Sequence, residues 1–322
     1  MTQEMDVNDI EANLKAAERI HRVIQKWRIS DDLYIHAKAR SCSLTPVQLS
    51  FQRDNILCHL FEAERNIVGV MKQLVSLHPL WKTFLRHVIG IGPSISAQLI
   101  GEIDMSRTPH PSSLWAYAGL QTCRVCTSCG FSTRESVPGR CPECGEGRVI
   151  GSATNSGLWG DRGANLFLKT VTYRASLQFL KSPRSFYRSV YDRVKRREER
   201  KNIPFMLSID MAYGYLLAEE AYGFMPGSCI KKKPGSVGDA DFHRLKKCLG
   251  GDGEKMVLVR RSKNHIHFRS LRIVRKLFLS HVFEMWLRSK GLEYPGSYAI
   301  RHLGRSFVIT PDEVICHDSH VK

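Results

Sequence analysis

Apolar residues recur at helical spacing over much of this chain. From Asn8 to Trp27 they fall at Ile10, Leu14, Ala17, Ile20, Ile24 and Trp27, the stripe of an amphipathic helix. A polar break at Ser41–Pro46 follows, and a second stripe runs through Leu57, Leu60, Phe61, Ile67, Val68, Met71, Leu74 and Val75 to His78-Pro79. Two long helices with a short link predict an antiparallel hairpin or a dimerising coiled coil, with an ordinary bundle face as the alternative. Helical spacing returns from Asn165 to Lys201, over Phe205–Phe224, and from His267 to Lys290. In the last, Leu271, Val274, Leu277, Phe278, His281, Val282, Met285 and Trp286 share one face. Ser112 is placed to cap a short helix, Ser113–Ala118. Strand signals are confined to Met256–Val259, Phe307–Ile309 and a cysteine-rich segment, and there is no internal repeat. The expected fold is mostly α.

Between two of these helical stretches lies Val88-Ile89-Gly90-Ile91-Gly92-Pro93-Ser94-Ile95-Ser96-Ala97. A Gly-apolar-Gly turn of this kind reads as the hairpin of a helix-hairpin-helix. Gly90 and Gly92 permit a tight turn and close backbone approach around Ile91. Pro93 and Ser94 then open a helix, where the missing proline N–H is no loss. Amides at that helix start make an anion site, and the expected anion is a DNA phosphate. An ordinary turn between packed helices is the rival reading.

Five of ten cysteines fall between Cys123 and Cys144. Cys126-x-x-Cys129-Gly130 and Cys141-Pro142-Glu143-Cys144-Gly145 are the two knuckles expected of a zinc ribbon, in which four thiolates hold one structural Zn2+. Disulfide pairing is the rival, and it suits small secreted domains better. Cys123 could replace Cys126 as a ligand. Four thiolates leave no open position for catalysis.

Charge narrows the class of partner. Lys+Arg is 48 against Asp+Glu 31, a formal net charge of +17, so a polyanion is expected and nucleic acid is the usual one. No segment approaches a membrane span, and polar, acidic Met1–Asn13 predicts no secretory leader. The expected location is therefore cytoplasmic. Basic residues concentrate at Arg184, Arg188, Arg193, Lys195, Arg196 and Arg197, with Arg200 and Lys201 beyond, around Phe186, Tyr187 and Tyr191. Such a run can line phosphates while its aromatics pack or stack; a solvated helix face is the alternative. Pro226–Lys255, rich in Lys, Gly and Pro, reads as a loop or insertion, and its Lys231-Lys232-Lys233 could touch nucleic acid or simply be solvated. His265-x-His267 with His281 could suit a metal, but the set is incomplete and helix-capping or phosphate contact is the better expectation.

Phe84-Leu85-Arg86-His87-Val88-Ile89-Gly90-Ile91-Gly92-Pro93, then Leu99-Ile100-Gly101-Glu102-Ile103-Asp104 and Leu114-Trp115-Ala116-Tyr117-Ala118-Gly119-Leu120 resemble, in the same order, the transposase domain of insertion-sequence family 110, the 110/116/902 group. Leu168-Lys169-Thr170 and Ser182-Pro183-Arg184-Ser185-Phe186-Tyr187 resemble the helices after that family's active-site loop, and His265–His281 a later helix of a zinc-ribbon-bearing subgroup. The resemblance covers about residues 80–190 well and 264–290 loosely. It implies a DNA recombinase active in transposition in a prokaryotic, nucleoid-associated setting, with a guide-like RNA as a further partner in some members. It also implies a serine nucleophile, for which Ser156, followed by Gly157, is the candidate. Arg162 stands near in sequence to clamp the attacked phosphate. A plain loop serine in a glycine-rich connector is the alternative.

One departure bears on that chemistry. Family members carry an RuvC-like half whose acidic residues bind Mg2+, and no strand-rich segment with an early aspartate precedes residue 80 here. Magnesium would then enter with a partner chain. The expected organisation is an N-terminal helical hairpin or coiled coil (1–79), able to form a homodimer. A transposase helix-hairpin-helix domain (80–122 and 149–203) follows, interrupted by the ribbon (123–148). A helical C-terminal region (204–322) carries the basic loop 226–255. A non-catalytic nucleic-acid binder derived from a transposase domain, and a branched-DNA repair factor, are the alternatives to a recombinase.

Overall fold

The computed structural model describes residues 6–41, 43–120, 123–126, 132–133, 140–146, 149–152, 165–202, 205–208, 222–224, 256–261, 263–294, 296 and 308–321. They are mostly helical, and no helix among them is long and apolar enough to cross a membrane. The chain divides into two compact units, one formed by Met1–Leu114, Phe167–Phe186 and Leu279–Lys322, the other by Trp115–Leu166 and Tyr187–Phe278.

In the first unit α1 runs Val7–Arg40, capped by the Asp6 carboxylate, which accepts from Val7 N–H at 2.8 Å. It is longer than the stripe Asn8–Trp27 indicates. Beyond His21 the only apolar residue of α1 that is buried is Ile35, so the second half carries little core periodicity. α2 (Pro46–Gln52) starts on a capping box, with Thr45 and Gln48 satisfying each other's backbone amides. One π turn, Arg53–Leu57, leads into α3 (Cys58–Leu77). Glu11 meets His78 while Arg28 pairs with Glu64, so α1 and α3 run in opposite directions. α4 (Pro79–Thr83) is capped by His78, whose Nδ1 accepts from Leu80 N–H at 3.1 Å. After a 3-10 turn, Leu85–His87, comes α5 (Pro93–Glu102), packed on both α1 and α3. Gly101 makes that crossing close: a Cβ there would lie 3.1 Å from the Leu14 carbonyl oxygen. Leu14, Met71, Val75, Phe84, Leu99 and Phe179 are buried in this unit, and so is Trp286, whose ring meets His78 edge-on.

α6 (Pro111–Tyr117) begins one residue before Ser112, so that serine lies inside the helix instead of capping it. The second unit holds two three-stranded antiparallel sheets. In one, β1 (Cys123–Cys126) lies between β2 (Ser132–Thr133) and β3 (Val149–Ser152). Next along the chain come α7 (Leu166–Lys181), which belongs to the first unit from Phe167 on, and α8 (Phe186–Arg200), which belongs to the second from Tyr187 on. The second sheet places β6 (Met256–Arg261) between β4 (Phe205–Ser208) and β5 (Tyr222–Phe224). Both ends of the expected helix Phe205–Phe224 are therefore strands. An apolar run such as Phe205-Met206-Leu207 does not by itself distinguish the two states. β6 extends the expected strand Met256–Val259 by two residues. α9 (Lys263–Ser289) is the long helix anticipated from His267 onward. In place of a strand at Phe307–Ile309, the described residues 308–310 are irregular and lead into α10 (Pro311–Val321). The loop 226–255, with Lys231–Lys233, lies outside the described residues.

Candidate nucleic-acid interface

The Gly-Ile-Gly-Pro turn is built as its residue types require. Ile91 N–H donates to the Val88 carbonyl at 3.2 Å, closing the turn. Gly90 has φ +93°, and a Cβ there would sit 3.2 Å from backbone atoms of Gln178, so conformation and proximity both demand glycine. Gly92 differs. It is the extended N-cap of α5, and a Cβ on it would meet nothing within 4 Å. Pro93 takes the first helical position, and Ser94 and Ile95 N–H belong to the first turn, whose amides have no helical acceptor.

A carboxylate ties this turn down. Asp318, on α10, is fully buried; its Oδ2 accepts from Ile89 N–H at 2.8 Å and its Oδ1 from Phe186 N–H at 2.9 Å. His317 Nδ1 lies 2.9 Å from the same Oδ1. Phe186 is the first residue of α8, where a negative charge is favourable. The turn 88–91, the link Ser182-Pro183-Arg184 and Val321 enclose an open cleft of about 460 Å³. Sequence reasoning missed Asp318 and the helix that bears it. A legible signal was present: Thr310-Pro311-Asp312-Glu313 is a capping box, with Thr310 and Glu313 bonded reciprocally at 3.3 Å.

In the second unit, α8 separates its residues by face. Tyr187, Val190, Tyr191, Val194 and Glu198 are buried, whereas Arg193, Arg196, Arg197 and Arg200 are exposed together on another face. Of the other basic residues, Arg188 is half-buried and paired with Asp192 at 2.9 Å, Lys195 is half-buried, and Arg184 is exposed in the preceding link. Arg197 and Arg269 both approach buried Glu198, at 3.6 and 2.8 Å. Tyr191 Oη lies 2.6 Å from His267 Nδ1. Burial and then Lys195 push His267 below its usual value, and burial and then Asp192 push the Tyr191 phenol above its own.

A second cationic row escaped the sequence analysis. Arg269, Arg272 and Lys276 sit at i, i+3, i+7 on α9, one helix face. Burial, and then Arg269, lower Arg272; burial, and then Arg272, lower Lys276. The like-charge repulsion along the row is second to burial, and Arg269 is itself paired with Glu198. Lys276 Nζ stands 5.2 Å from the centroid of the Trp115 ring, whose Nε1–H donates to the Lys276 carbonyl at 2.9 Å. Such a row lies among apolar periodicity, which masks it in the sequence.

The remaining candidates divide as follows. Cys141 is buried, and its carbonyl accepts from Gly145 N–H at 2.9 Å, with Gly145 at φ +67°. That turn fits a metal-binding knuckle: Cys141 and Cys144 stand three residues apart around it, and neither is in a disulfide. Cys126 ends β1, opposite Val149 on β3. Cys129, Ser156 and Arg162 lie outside the described residues. Among the described residues no cluster of three or more His, Cys, Asp or Glu could hold a metal. His281 is held near 4 by burial and bonds the Ile309 carbonyl at 2.9 Å, so its ring serves the core of its own unit. No protein-family model matches this chain, and no curated protein matches it.

Proposed function

We propose that this protein binds DNA and acts in transposition or recombination, in the manner of the family-110 transposases it resembles. The observation that carries the binding is the exposed face of α8, Arg193, Arg196, Arg197 and Arg200, on a chain of net charge +17. Phosphates along one strand meet that face, and the α9 row supplies further cations. The Gly90–Ser94 turn acts as the hairpin of a helix-hairpin-helix, presenting the amides around Gly92 and Ser94 to a phosphate; the open space beside Gly92 supports this.

A ribbon built on Cys126, Cys129, Cys141 and Cys144 holds structural Zn2+, which braces the fold and takes no part in reaction. In the recombinase reading, the Ser156 hydroxyl attacks a phosphodiester phosphorus, the DNA strand's sugar oxygen leaves, and Arg162 steadies the charge on the phosphoryl oxygens. A phosphoserine ester conserves the bond for rejoining. Magnesium chemistry belongs to a RuvC-like partner, and a guide-like RNA is a further partner in this reading.

A homodimer through the N-terminal helices is favoured by one specific observation. α1 exposes Ile20, Val23, Trp27 and Tyr34 at heptad-like spacing, with Trp27 59% exposed. A non-catalytic binder is the second reading, favoured by the exposed arginine face of α8, which can hold phosphates with no catalytic group.

One gel experiment separates these. Labelled duplex DNA, Mg2+ and the full chain with any co-purifying RNA are incubated, then run under denaturing and native conditions. Recombinase action gives a covalent adduct lost in Ser156→Ala. A native shift with no adduct, even after a RuvC-bearing partner is added, supports the binder. Absence of any shift overturns both.

A further inference from the structure

We infer that the cleft beside the Gly90 turn receives an unpaired nucleobase, so that the preferred DNA carries a bulged or extruded nucleotide; the inference rests on the DNA-binding reading. Its walls are unlike the rest of the proposed interface. Val88, Ile89 and Ile91 form one side, Pro183 the other, and Val321 contributes from α10. Arg184 is exposed in the link that forms the second side, and Ser182 is half-exposed beside it. The volume, about 460 Å³, falls within the ~300–1,000 Å³ of small-ligand sites.

The walls are held in place. The Asp318 carboxylate bonds Ile89 N–H on one side and Phe186 N–H at the end of the other, and Gly90 presses against the Gln178 backbone. An open, mostly apolar cleft with Arg184 in its lining suits a flat, weakly polar ring joined to a phosphate. Paired bases inside a duplex cannot enter, whereas an unstacked one can lie against apolar or guanidinium surfaces. Phosphate alone would leave the aliphatic walls without a role, and a purely apolar ligand would leave Arg184 without one.

The test compares a duplex with the same duplex bearing one bulged 2-aminopurine. Wild type is expected to bind the bulged DNA about tenfold more tightly, the scale of one stacked base, with a change in 2-aminopurine fluorescence on binding. Val321→Phe and Ser182→Phe, each filling the cleft from a different side, abolish that preference and leave duplex affinity unchanged. Equal affinity of wild type for both DNAs, or a preference that survives both filled clefts, overturns the inference while duplex binding still stands. If wild type binds neither DNA, the DNA-binding reading fails and takes this inference with it.

Discussion

Glu18→Gln probes how the hairpin helix is anchored. Glu18 on α1 is fully buried beside Glu102, the last residue of α5, and Arg22 reaches both carboxylates at 2.6 Å. Burial, and then the Glu102 carboxyl, raise Glu18 from 4.5 to about 8, so at neutral pH it is protonated in the fold and ionised once unfolded. A carboxyl with a raised folded value contributes most below the unfolded value, and that contribution is lost as pH climbs through the folded one. Stability contributed by Glu18 therefore drains away between about pH 4.5 and pH 8. At ~1.4 kcal/mol per pH unit the full loss is on the order of 2–5 kcal/mol, the lower end applying if the side chain swings toward Arg22. Glutamine keeps the shape and cannot ionise. Urea unfolding followed by tryptophan fluorescence, with buried Trp286 reporting on this unit, gives the comparison. Wild type and variant are expected to match near pH 4, and the variant to gain steadily up to pH 8. Parallel curves from pH 4 to pH 9, or a less stable variant at pH 8, would refute the reasoning.

Three further outcomes follow from the same structure. Asp318→Ala strands the Ile89 and Phe186 amides, which costs about 2–4 kcal/mol; a chemical-denaturation midpoint unchanged from wild type would contradict the tie. Under the proposed zinc ribbon, a strong chelator is expected to release one metal per chain and Cys141→Ser to lower that stoichiometry; a metal-free preparation of full stability would dismiss the ribbon. Trp27→Glu, placed on the exposed seam of α1, is expected to halve the sedimenting mass, so a wild type that already sediments as a monomer would remove the dimer.

How much was legible in the sequence can be judged from particular residues. The turn was readable at Gly90, where φ and crowding leave no other residue, whereas Gly92 meets neither condition expected of it. Thr45 with Gln48, and Thr310 with Glu313, wrote two helix starts in plain capping boxes, and both went unread. Where burial lapses, so does the pattern: the second half of α1 turns Ile29, Leu33 and Tyr34 to solvent. At Phe205 a short apolar run gave no basis for choosing strand over helix, because the pairing that decides it comes from Val259, far along the chain. Long-range ties were invisible for the same reason. Asp318 bonds a turn 229 residues away, and Glu18 is raised by burial first and then by Glu102, 84 positions along the chain.

The central claim is that α8 presents its exposed arginines to phosphates, and salt dependence measures this most directly. Duplex binding by wild type would be followed by fluorescence anisotropy over a range of salt, beside a variant with Arg193, Arg196, Arg197 and Arg200 all changed to Gln. With each phosphate contact contributing about 0.9 to the log–log slope, the variant is predicted to lose about 3 to 4 of it, with unchanged helical content. Equal slopes for the two proteins would contradict the account.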